Sequence, residues 1–170
     1  MACYRGTDIM RCSARRRRRR TATAATALIA CFLTCACLAQ ALTAVSRFYN
    51  VTTSTHFYTI SPAERDHVIA TYPQYVYEGP VFAAYAQPAA GTAAVNRFYN
   101  TQTGAHFYTI STDEIAYIQL TYPQFVFEGP VYYAPPDEGA DGRTALYRFY
   151  NNATGAHFYT ASASMERSRI

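Results

Sequence analysis

The sequence predicts a mainly β domain with one short helix per repeat, closed into a pseudo-threefold, trefoil-like or small propeller-like array. Three observations predict this fold: an internal repeat of about 50 residues, short aromatic segments typical of strands, and a helix-start signal after the second such segment. Closure is expected because it removes exposed sheet edges.

The repeat is visible in two tetrapeptides. Arg-Phe-Tyr-Asn begins at Arg47, Arg97 and Arg148, and His-Phe-Tyr-Thr begins at His56, His106 and His157. Segment 47–84 is identical to segment 97–134 at 22 of 38 positions. The units are 46–95, 96–146 and 147–170, and the last is incomplete because it contains no third Glu-Gly-Pro-Val segment.

The motifs of each complete unit predict two strands, then a helix, then a bent strand. The two aromatic tetrapeptides flank a short loop and predict a hairpin. Ser61-Pro-Ala-Glu64 and Ser111-Thr-Asp-Glu114 predict a capping box, in which the Ser side chain accepts a backbone N–H and the Glu reaches back to the Ser N–H. Pro123 ends the second helix, and a β segment bent at Gly129-Pro130 follows.

Residues 1–44 differ chemically from the rest. All 15 basic residues of the chain are Arg, and eight of them lie before residue 21, six as the run Arg15–Arg20. An uncharged apolar stretch and the small residues of Ala39-Gln40-Ala41 follow, which predicts a secretory signal peptide. Three alternatives stay open: an uncleaved membrane anchor, a lipoprotein cleavage box at Leu28–Cys31, and a nucleic-acid or nuclear-targeting arm.

Residues 45–170 form the predicted single repeat domain, and their composition excludes several classes. They hold seven Arg against ten Asp and Glu, a formal charge of −3, so a basic nucleic-acid-binding body is excluded. All five Cys lie before residue 40, which excludes a disulfide framework or Cys zinc site in the domain. The domain carries 24 aromatic residues in 126, which excludes a disordered chain.

These motifs resemble a repeat family of unknown function in secreted and cell-surface proteins of bacteria and fungi. The resemblance rests on Arg-Phe-Tyr-Asn, Thr-Gly-Ala-His-Phe-Tyr-Thr and Tyr-Glu-Gly, and covers about Ser46–Met165. Similar proteins commonly carry the unit in threes, alone or behind a catalytic domain such as a cell-wall hydrolase, which implies a surface-binding accessory role. This chain departs from the pattern at Tyr75 and Phe125, where relatives often have Trp, and in its third unit, which lacks its end and has Met165 in place of the capping Glu.

The candidate site residues are those that recur. Arg47, Arg97 and Arg148 are candidate ligands for an acidic sugar or phosphate, with carboxylate pairing or stacking on Tyr as the structural alternative. Tyr85, Tyr132 and Tyr133 are candidate sugar-stacking platforms. A repeated polar network is expected from His56, His106, His157, Glu78 and Glu128.

We expect no catalytic residue, metal or cofactor. Three equivalent His are a conceivable metal set, but Cys and carboxylate partners at ligand spacing are absent from the sequence around them. Glu78 and Glu128 occupy equivalent positions in different units, whereas a glycosidase needs two unlike carboxylate roles in one site.

The sequence therefore favours a secreted or surface-exposed, non-catalytic module that binds cell-wall or extracellular polysaccharide. The alternatives are a structural or protein-interaction repeat without a small ligand, an accessory part of a glycoside or cell-wall hydrolase system, a hydrolase acting through Glu78 or Glu128, and a truncated remnant without a function of its own. The expected partners are polysaccharide or a cell-surface component, and a second copy of the chain at the open third repeat. Nucleic acid is not expected. A membrane is expected only if residues 1–44 are uncleaved.

Overall fold

A computed structural model describes residues 41–137 and 143–162. Several features of the sequence lie outside the described residues. They are the arginine run, the apolar stretch, the predicted lipoprotein box, the five cysteines and Met165. Strand β1 begins at Leu42, which pairs with Tyr85, so the folded domain includes the last three residues of the predicted signal segment. A cut after Ala41 would leave this strand whole, whereas a cut after Ala44 would shorten it.

The fold is mainly β, as predicted, with one helix in each complete unit. The elements in chain order are β1 Leu42–Asn50, β2 Thr55–Thr59, α1 Pro62–Thr71, β3 Tyr75–Tyr85, β4 Ala93–Asn100, β5 His106–Thr109, α2 Thr112–Thr121, β6 Phe125–Ala134, β7 Tyr147–Asn151 and β8 Ala156–Thr160.

The strands form two open antiparallel sheets. Six strands pair in the order β2-β1-β3-β6-β4-β5, and β7 pairs with β8 in a separate two-stranded sheet. Strand pairing between the two complete units is limited to one bridge, between Tyr85 and Tyr133. The larger sheet has β2 and β5 as its edges, so the described strands do not confirm the predicted trefoil- or propeller-like closure.

Side chains, rather than strand pairing, bring the three hairpins together. The Tyr108 hydroxyl accepts the Tyr58 N–H and donates to the Tyr58 carbonyl, both at 2.9 Å. The Tyr159 hydroxyl does the same for the backbone of Tyr108, and the Tyr58 hydroxyl for the backbone of Tyr159. We call this closed set of six hydrogen bonds the tyrosine ring. It satisfies backbone groups on β2, β5 and β8 that would otherwise be buried without partners.

The main core surrounds the tyrosine ring. Its buried members are Val45, Tyr58, Ala84, Val95, Tyr108, Tyr132 and Tyr159. Each complete unit adds a smaller cluster under its helix: Phe48, Phe57 and Val68 in the first unit, and Phe98, Phe107 and Ile118 in the second. The helices are thus fixed to their own hairpins by apolar contact, and the units to each other by the ring.

Half of the predicted capping box is present. Ser61 and Ser111 are the N-cap residues, and their hydroxyls accept the N–H of Glu64 and Glu114 at 3.2 Å. The predicted return bond from the Glu side chain is wrong, because the Ser61 N–H donates instead to the Thr59 hydroxyl at 3.0 Å. Both Glu side chains are therefore available for contacts with the next unit.

Candidate functional site

A largely buried arginine, Arg97, joins the first unit to the second. The Nη1 and Nη2 atoms of Arg97 donate to the two carboxylate oxygens of Glu64 on α1, at 3.1 and 2.9 Å. Its Nε atom donates to Oε2 of Glu128 in its own unit, at 2.6 Å. The guanidinium also lies over the ring of Phe57, 5.1 Å from the centroid. Arg97 thus connects two carboxylates and an aromatic ring from both units.

A β-bulge brings Glu128 to Arg97. Along β6 the register moves from Gly129 opposite Arg97 to Phe127 opposite Phe98, so Glu128 is the extra residue of the bulge. Gly129 has a φ of +87°, in the left-handed region that favours glycine. A bulge commonly redirects a side chain in this way, and β3 repeats the same register shift around Glu78 and Gly79.

The charges in this contact perturb the neighbouring titrations. Burial, followed by the positive charge of Arg97, lowers the pKa of His106 to about 4, so its imidazole is neutral near pH 7. Burial alone raises the pKa of Glu64, but the hydrogen bonds from Arg97 and Thr59 and the Arg97 charge outweigh burial and hold that pKa below 4.5. Glu64 is therefore ionised at neutral pH.

We call the contact between the first and second units the first junction. The same arrangement recurs at the second junction, between the second and third units. Arg148 of the third unit makes a bidentate pair with Glu114 on α2 at 2.9 and 2.8 Å, and lies 5.2 Å from the centroid of Phe107. His157 packs edge-on against Phe107, as His106 does against Phe57, with centroids 4.9 Å apart in both cases. Each junction therefore uses a Glu and a Phe from one unit, and an Arg and a His from the next.

At the third junction the first unit faces the third. Arg47 donates to Glu78 at 2.5 Å and lies 5.2 Å from the centroid of Phe158, and His56 packs edge-on against the same ring. The position equivalent to Glu64 in the third unit is 165, outside the described residues. The predicted carboxylate pairing of all three arginines is thus present, but each stacks on a Phe rather than a Tyr.

The first junction opens into a cleft of about 660 Å³, which we call the junction cleft. Its volume is in the range of small-molecule sites. Its lining from the first unit is Asn50, Thr52, Thr53, Phe57, Glu64, His67, Val68, Tyr72, Gln74 and Tyr75, and from the second Arg97, Tyr99, Gly104, His106 and Glu128. Aromatic rings and hydrogen-bonding side chains thus line the same cleft.

The structure divides the sequence-predicted site residues into three groups. Arg97, His106 and Glu128 meet in the junction cleft, and their counterparts Arg47, His56 and Glu78 meet at the third junction. At the second junction Arg148 pairs with Glu114, and no described carboxylate takes the place of Glu128. Tyr132 is 1% exposed and packs in the main core, so it is not available as a sugar-stacking surface. Tyr85 and Tyr133 are partly buried at the bridge between β3 and β6, and do not line the junction cleft.

Sequence reasoning missed two kinds of residue. The Ser-x-x-Glu pattern predicts only a capping role for Glu64 and Glu114, yet they bind the arginine of the next unit. Tyr72, Tyr75 and Tyr99 were not selected, although they line the junction cleft. The Tyr72-Pro-Gln and Tyr122-Pro-Gln repeat was the available signal for the first of these tyrosines.

Two further properties of the described residues concern metals and membranes. Within 41–137 and 143–162, no group of His, Cys, Asp and Glu is arranged to hold a metal ion. In the same ranges, neither helix has the length and apolar character needed to cross a bilayer.

A family sequence model described as "Domain of unknown function (DUF5648)" matches residues 44–170. The chain belongs to this family. The DUF5648 match covers all three hairpins and both helices, and it confirms the predicted membership of an uncharacterised family. No curated protein and no solved structure matches the chain. The DUF5648 description names no ligand or reaction, so a function has to be argued from the junction cleft.

Proposed function

We propose that the chain is a non-catalytic binding module for cell-wall or extracellular polysaccharide, exported or exposed at the cell surface. The observation that carries the proposal is the junction cleft, in which Tyr72, Tyr75 and Tyr99 lie beside hydroxyl, amide and carboxylate groups. Sugars are bound in proteins by flat aromatic faces together with planar hydrogen-bonding groups, and this lining offers both. Tyr72 is 41% exposed, so its ring is accessible to a ligand.

The repeat supports a binding role over a catalytic one. Glu78 and Glu128 each pair with an arginine of their own unit, at 2.5 and 2.6 Å. A hydrolase needs two carboxylates with different environments, whereas these two have matching ones. Repeated, similar sites instead suit avidity, since two weak contacts on one polymer reinforce each other.

The test is affinity electrophoresis of the chain through gels that contain soluble polysaccharides, followed by calorimetry on any that retard it. Tyr72→Ala should weaken binding about tenfold, since one stacked ring contributes on the order of 1–2 kcal/mol. The matched control is Tyr147→Ala, which removes a ring of similar exposure, 40%, outside the junction cleft. Retardation that survives Tyr72→Ala unchanged contradicts the assignment of the site.

A second copy of the chain remains a proposed partner. Within the described residues β7 pairs only with β8, whereas β1 and β4 each pair on both sides. An edge strand of this kind is a site for strand addition. Light scattering at increasing protein concentration tests this: a constant monomer mass contradicts it. A folded chain that binds no polysaccharide and associates with protein instead favours the alternative of an interaction repeat.

A further inference from the structure

The charges of the junction cleft do not balance. Its ionisable lining consists of Arg97, Glu64 and Glu128, together with His67 and His106. With histidine counted as neutral, the formal charge is −1. An anionic ligand would therefore meet net repulsion in a partly desolvated site. This argues against the acidic sugar or phosphate that the repeated arginines first suggested.

The guanidinium group of Arg97 is not available to bind an anionic ligand. Its Nε atom and both Nη atoms already donate to carboxylates, and one face of the guanidinium is covered by Phe57. The side chain is 11% exposed. Replacing either carboxylate by a ligand anion would exchange one charge-assisted pair for another and leave a partly buried carboxylate without its partner, so there is no net gain.

Glu128 carries the uncompensated charge. Both oxygens of Glu64 are bound by Arg97, whereas Glu128 uses only Oε2 in hydrogen bonds within the described part of the chain. Its side chain is 29% exposed and lines the junction cleft beside His106. The Oε1 atom is thus an acceptor open to a cation or to a hydrogen-bond donor, next to aromatic rings.

We propose that the junction cleft selects polysaccharides with free amino groups, placing the ammonium group of a glucosamine-type residue at Glu128 and excluding uronic acids. The inference rests on the proposed polysaccharide-binding function and specifies its ligand. A primary ammonium offers three donors and one positive charge, which match the open carboxylate oxygen. The N-acetylated sugar keeps the ring and hydroxyl groups but loses the charge, and a uronate reverses the charge.

The second junction provides an internal contrast. There Arg148 and Glu114 balance one another, and no described carboxylate takes the position of Glu128. At the third junction Glu78 also uses only Oε2, but Arg47 pairs there with this one described carboxylate, so the two charges balance. Selection for amino groups is therefore assigned to the first junction, where one arginine faces two carboxylates, and one substitution should remove it.

The test is calorimetry at pH 7, the condition to which the charge count applies, with three probes: hexamers of glucosamine, of N-acetylglucosamine and of galacturonic acid. The glucosamine hexamer should bind about fivefold more tightly than the N-acetylated one, and the galacturonic acid hexamer more weakly than both. The glucosamine preference should disappear with Glu128→Gln, and shrink in about 0.5 M salt with the unmodified chain because exposed ion pairs are screened. Glu78→Gln is the matched control, since it changes the equivalent residue outside the junction cleft and should leave the preference intact.

The outcomes separate the two proposals. Equal binding of the two hexosamine hexamers, or a preference that survives both Glu128→Gln and high salt, overturns the selection for amino groups but leaves polysaccharide binding standing. Tighter binding of the galacturonic acid hexamer overturns it as well. Binding of none of the three probes, nor of any polysaccharide in the gels, overturns both proposals. The salt series on the unmodified chain decides the matter even if Glu128→Gln fails to fold.

Discussion

Removing one hydroxyl from the tyrosine ring should destabilise the whole domain. Tyr108→Phe keeps the aromatic ring in the main core but deletes the group that both accepts from the Tyr58 N–H and donates to the Tyr58 carbonyl. Both hydrogen bonds are buried, so the two backbone groups would be left without partners and without water.

The magnitude follows from that count. A buried donor or acceptor without a partner costs about 1–3 kcal/mol, and the deleted hydroxyl no longer has to be desolvated, so Tyr108→Phe should cost roughly 2–4 kcal/mol. This is a large part of the 5–15 kcal/mol typical of a domain, and corresponds to a fall in Tm of about 10 °C. Because the ring is cyclic, Tyr58→Phe and Tyr159→Phe should cost similar amounts.

The assay is urea unfolding of the chain followed by circular dichroism, with Tyr132→Phe as the matched control. Tyr132 is equally buried and stacks on Tyr108, but its hydroxyl takes no part in the tyrosine ring. That variant should lose less than about 1 kcal/mol. If Tyr108→Phe and Tyr132→Phe unfold at the same urea concentration, the ring contributes no more than ordinary packing and the argument for it is refuted.

Three further predictions concern pH and charge. Burial raises the pKa of Tyr58, Tyr108 and Tyr159 above 10.0, so the unfolded chain releases protons that the folded chain keeps. The Tm should therefore fall as the pH rises above about 10, and it should fall less steeply in Tyr108→Phe. A Tm that stays constant from pH 8 to 11 contradicts this prediction. Burial lowers the pKa of His106 from 6.5 to about 4, so as the pH falls the unfolded chain binds a proton before the folded chain does. The free energy of unfolding should therefore decrease between about pH 6.5 and 4. An NMR titration of the folded chain with a His106 midpoint near 6.5 counts against this prediction. Glu64→Gln should cost about 1–2 kcal/mol in urea unfolding because Arg97 loses its bidentate partner, whereas Asp66→Asn, which breaks an exposed pair with Arg65, should change stability by less than about 0.5 kcal/mol.

The sequence was sufficient to predict the elements of each unit because their signals are local. Strand pairs, the Ser N-caps and the helix end before Pro123 depend on residues a few positions apart, and the structure has all of them. The bend at Gly129 was also predictable, since glycine adopts the left-handed backbone that the bulge requires.

The site was predictable only in part. The repeat pointed to His106 and Glu128 as members of a polar network and to Arg97 as a candidate ligand-binding residue, and all three line the junction cleft. Glu64 was missed because a Ser followed three residues later by Glu matches a capping box, and the local pattern does not reveal a distant arginine. A bidentate, charge-assisted pair with Arg97 is stronger than one bond to a neutral backbone N–H, so the tertiary contact prevails.

By itself, then, the sequence determined that the domain is a repeat of hairpin, helix and bent strand with aromatic interiors. Only the tertiary structure decided how the units meet. Tyr58, Tyr108 and Tyr159 are 50 and 51 residues apart, and nothing in one unit shows that a hydroxyl of one hairpin will satisfy the backbone of another. The outer edges of β2, β5 and β8 meet through side chains instead of forming a continuous sheet. The buried backbone groups on these edges need hydrogen-bond partners, and the tyrosine hydroxyls of the other units supply them.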